Sequence, residues 1–88
     1  MTNSRSLELQ LTLLLNEVKD ALPPNDTKLI LEFINHNECG LAYETLCTQI
    51  YEYDIHISSE FFDKIFSIGK LLEIEPFIWM PIKELVLE

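Results

Sequence analysis

The chain has 88 residues, 48% of them hydrophobic, with 15 acidic against six basic side chains and a formal net charge of −9. That length predicts one domain over residues 1–88 with a single modest core, and the apolar content excludes a disordered tail. The charge argues against direct contact with nucleic acid or an anionic membrane surface, because both call for clustered Lys and Arg.

The first segment, Ser6 to Leu22, reads as a helix. Leu7, Leu11, Leu14, Leu15, Val18 and Leu22 form one helical stripe, and Pro23 and Pro24 stop it. A second helix is expected over residues 26–36, capped by Asn25 or Asp26, with Leu29, Ile30, Phe33 and Ile34 as its apolar stripe and Asn35-His36-Asn37 as a frayed end. A third is expected from Cys39 to Tyr53. Ala42, Tyr43, Leu46, Cys47 and Ile50 fall on its inner side, and Glu44, Thr45, Thr48, Tyr51 and Glu52 on its outer side. Residues 54–57 are expected to be a bare connection pinned by Ile55 and Ile57.

Ser58 or Ser59 is expected to cap a fourth helix reaching Leu72 or Glu73, loaded with Phe61, Phe62, Ile65, Phe66, Ile68 and Leu72. Gly69 inside it implies a close helix crossing, since glycine otherwise weakens a helix by up to ~1 kcal/mol. Pro76 opens a single turn around Phe77 to Trp79, and a short helix is expected from Pro81 through Val86. The fold class is therefore all-α: a compact single-domain bundle of four to five short helices. No apolar run approaches the ~20 residues of a membrane span. The Met1-Thr2-Asn3-Ser4-Arg5 start is followed by an apolar stretch broken by Glu8 and Gln10, unlike a secretory leader, so a cytoplasmic location is expected.

Catalysis finds little support in the residues. His36 and His56 are the only histidines, and Cys39 and Cys47 the only cysteines. Their spacing matches no close-spaced zinc pattern. The two cysteines, eight residues apart on one helix, lie ~12 Å apart, too far to form a disulfide. With two glycines in all, no phosphate-cradling loop exists. The expectation is a protein that is not an enzyme and holds no metal or cofactor.

Charge is segregated along the chain. From Leu29 through Asp63, 35 residues contain no Lys or Arg but include Glu32, Glu38, Glu44, Glu52, Asp54, Glu60 and Asp63, and so carry −7 of the −9. Solubility alone is served by interspersed signs. A single-signed surface instead steers a basic partner. Tyr51 and Tyr53 within it are of the type that anchors interfaces, unless Tyr53 is core and the acids are scattered. The candidate partner-binding residues are Glu44, Thr48, Tyr51, Glu52, Asp54, His56, Glu60 and Asp63.

Several segments resemble the MafI family of immunity proteins: Leu31-Glu32-Phe33-Ile34, the run Glu38 to Cys47, Tyr51-Glu52-Tyr53-Asp54-Ile55, Ile57-Ser58, Ile68-Gly69-Lys70-Leu71 and the ending Trp79-Met80-Pro81-Ile82-Lys83-Glu84-Leu85. The similarity spans about residues 10–86. The Tyr-Glu-Tyr-Asp turn and the Trp-x-Pro-x-Lys-Glu-Leu ending are its most specific parts. Position 56 is His where the family more often has Pro, which makes the turn less rigid. The resemblance implies a cytoplasmic bacterial protein that neutralises the C-terminal domain of a secreted or contact-delivered toxin, often a nuclease, with no catalytic residues to transfer. A nuclease presents a basic cleft, which an acidic protein can block. An acidic helical adaptor and a nucleic-acid mimic directed at a DNA-binding protein are the alternatives. Both monomer and homodimer are compatible with the apolar load of the first and fourth helices.

Overall fold

The computed structural model describes residues 4–87, with side chains from Arg5 onward; residues 1–3, on which the reading of the N-terminus bears, and residue 88 lie outside it. Five α-helices form an all-α bundle: α1 (Ser4–Val18), α2 (Pro24–Asn35), α3 (Cys39–Glu52), α4 (Ser59–Leu71) and α5 (Pro76–Trp79). A 3₁₀ turn (Lys19–Ala21) follows α1, and a 3₁₀ helix (Met80–Leu85) follows α5. None of the described helices is long and apolar enough to cross a membrane.

The stripe expected on α1 is the one it buries: Leu7, Leu11, Leu14, Leu15, Val18 and Leu22 all enter the core. The α-helix itself ends earlier than Leu22. It tightens into the 3₁₀ turn after Val18, and Leu22 is extended (φ −99°, ψ 148°). The cause is Pro23, which disfavours helical backbone in the residue before it. α2 begins at Pro24 rather than under an Asn25 or Asp26 cap. Proline suits a first helical position because the N–H it lacks would be unpaired there. The carbonyl of Pro23 instead accepts from the N–H groups of Asp26 (3.0 Å) and Thr27 (3.2 Å). The buried stripe of α2 is narrower than expected. Ile30 and Ile34 are buried and Phe33 packs partly against the core, but Leu29 is exposed.

Three helices end in the same hydrogen-bonded turn, each without glycine. Asn37, Asp54 and Glu73 take left-handed backbone (φ 61°, 50° and 57°). The next N–H bonds back five residues in each case: Glu38 to Phe33 (2.8 Å), Ile55 to Ile50 (3.0 Å) and Ile74 to Gly69 (2.9 Å). These are Schellman ends, which satisfy carbonyls the last turn would leave unpaired. The Asn35-His36-Asn37 segment is thus an ordered terminus and not a frayed one, and His36 Nδ1 lies 2.7 Å from the carbonyl of Glu32.

α3 is the central helix, packed on α1, α2, α5 and the C-terminal 3₁₀ helix. Its inner face, Cys39, Ala42, Tyr43, Leu46, Cys47 and Ile50, is buried. Ser58 caps α4 through its hydroxyl, which accepts from the Phe61 N–H at 3.0 Å. Phe61, Ile65 and Ile68 are buried, whereas Phe66 lies largely outside and stacks edge-on against Trp79 (5.1 Å, 90°).

The crossing implied by Gly69 is present. A Cβ there would lie 2.5 Å from Tyr43 Oη and 2.8 Å from Trp79 Nε1, closer than packed atoms come. The absent side chain lets the buried Tyr43 hydroxyl donate to the Ile65 carbonyl (2.6 Å) and Trp79 Nε1 to the Ile74 carbonyl (3.3 Å).

The connection before α4 is more than a linker: Ile57–Ser58 is a strand, β1. The short helix expected from Pro81 through Val86 is present as the 3₁₀ helix, one residue earlier at each end. The 3₁₀ helix ends at Leu85, and Val86–Leu87 forms β2, paired in parallel with β1 in the register Ile57 with Val86 and Ser58 with Leu87. A two-residue strand has too little length to show a period of two. Ile55 and Ile57 are buried, as the sequence implied.

Candidate partner-binding surface

Since the inner face of α3 is fully committed to the core, its opposite face is free to project outward. Positions 41, 44, 48, 51 and 52 follow helical spacing and share that outer side. Leu41, Thr48, Tyr51 and Glu52 are exposed, and Glu44 is half-buried. The chain then turns through Tyr53 and Asp54 in the left-handed end of the helix. Tyr51 is 51% exposed and Tyr53 47%. Tyr53 is therefore not a core residue, and two aromatic side chains stand in water beside Glu52 and Asp54. Large exposed aromatics flanked by polar groups are typical anchors for another protein.

The remaining candidates occupy different ground. His56 points outward between the buried anchors Ile55 and Ile57. Glu60 is exposed in the first turn of α4, where a carboxylate also stabilises the helix N-terminus through the helix dipole. Asp63 is exposed but lines a shallow hollow with Ser59, Phe62, Lys83 and Val86. The base-free stretch ends in space as well as in sequence at this point, because Lys83 returns along the 3₁₀ helix to meet it. The structure therefore gathers Glu44, Thr48, Tyr51, Glu52 and Asp54 along one helix face and its closing turn. Glu60 and Asp63 are carried on a separate helix. Leu41 joins the gathered group, three positions before Glu44 on the same side of the helix, and Tyr53, already marked with Tyr51 as an interface type, follows in the closing turn.

Lys64, the first base after the 29–63 stretch, approaches Glu17 of α1 at 4.0 Å. Carboxylates exposed to water project their field outward over about a Debye length, ~8 Å at physiological salt.

The groups that thiol or imidazole chemistry would draw on are set apart. Cys39 and Cys47 are free and buried. Burial pushes the Cys47 thiol up to about 12, with the Glu44 carboxylate adding to the rise. Burial, then the charge of Glu8, also raises Cys39. Neither thiol is a ready thiolate nucleophile, and both histidines lie on the surface. No group of three or more His, Cys, Asp or Glu among the described residues is placed to hold a metal. No protein-family model, curated protein or solved structure matches this chain.

Proposed function

We propose that this protein is an immunity protein: it binds the toxic C-terminal domain of a secreted or contact-delivered toxin in the cytoplasm and neutralises it, without catalysing a reaction. The toxin domain is a nuclease whose basic cleft meets the outer face of α3. The observation that carries this function is the acidic stripe itself. Glu44, Glu52 and Asp54 project from one helix and its closing turn, with Tyr51 and Tyr53 exposed among them and no base on α3. Such a surface attracts a basic protein at long range through charge. It holds it at short range through aromatic contact with Arg and Lys. The motif resemblance described above supports the same assignment, its Tyr-Glu-Tyr-Asp element being the exposed turn.

Co-expression tests the function. Cells producing the toxin domain encoded beside this gene should survive when this chain is produced with it, and the two chains should co-purify. Death of the cells despite abundant folded protein would reject the assignment. An acidic adaptor, in contrast, would recover a regulator and give no protection.

A further inference from the structure

We draw no further inference here: the strongest candidate, the open hollow where the 3₁₀ turn after α1 meets the start of α2, with Lys19 and Lys28 beside Leu22, Thr27 and Leu31, carries nothing, because its exposed lysines share the wall with Asp20, the unpartnered Thr27 hydroxyl is closed off from solvent, and nothing in the structure shows what covers it.

Discussion

The two faces of α3 are drawn from the same 14 residues but answer to different constraints. Ala42, Tyr43, Leu46, Cys47 and Ile50 on the inner face have no measurable exposure, and each is fixed by its neighbours' shapes. Glu44, Thr48, Tyr51 and Glu52 on the outer face support no packing that would require these residue types. Three of these four side chains are acidic or aromatic, and the fold leaves them available to a partner. Changes to the inner face should therefore cost stability, while changes to the outer face should alter binding and leave stability in place.

The largest effect is expected inside. Leu46→Ala should destabilise the protein by about 2–5 kcal/mol, the usual range for a buried Leu, measured by urea denaturation. A loss below about 1 kcal/mol would mean that the central helix is not packed as described. Gly69→Ala comes next, at about 1–3 kcal/mol, because the new methyl meets Tyr43 Oη and Trp79. Adding Tyr43→Phe should recover only part of this loss. It removes the closest atom, but it also removes the buried Tyr43–Ile65 hydrogen bond and leaves Trp79 in the way of the new methyl.

A smaller effect of opposite sign separates fold from function most sharply. Asp54 and Glu73 hold left-handed backbone at equivalent helix ends, a conformation that glycine takes without strain. Replacing either with Gly should raise stability by about 0.5–1 kcal/mol, a shift of about 2–8 °C in melting temperature for a domain of this size. Asp54→Gly should at the same time weaken partner binding, and Glu73→Gly should not. Equal effects of the two on binding would remove Asp54 from the interface.

Much of this division was legible in the sequence, and the exceptions share a physical cause. The inner stripes of α1 and α3, the Ser58 cap and the Gly69 crossing each leave a local mark: a period, a hydroxyl before a helix, a glycine within one. The Schellman ends were hidden because their usual marker, glycine, is absent at Asn37, Asp54 and Glu73. The β1–β2 pair was hidden because its partners are 29 positions apart (57 to 86) and too short to alternate. For the candidate surface, the 35-residue charge gap was visible in the sequence, but its placement was not. Sequence could not show that Tyr53 stands outside the core, nor that Lys83 folds back beside Asp63.

The most direct measurement is the affinity of Glu44→Lys/Glu52→Lys for the toxin domain, at several salt concentrations and alongside its thermal stability. Both positions lie on the outer face, so stability should move by no more than about 0.5 kcal/mol. Affinity should fall at least about tenfold, and the remaining binding should depend less steeply on salt. Unchanged affinity with unchanged salt dependence, in a variant that melts like wild type, would show that the outer face of α3 is not where the partner binds.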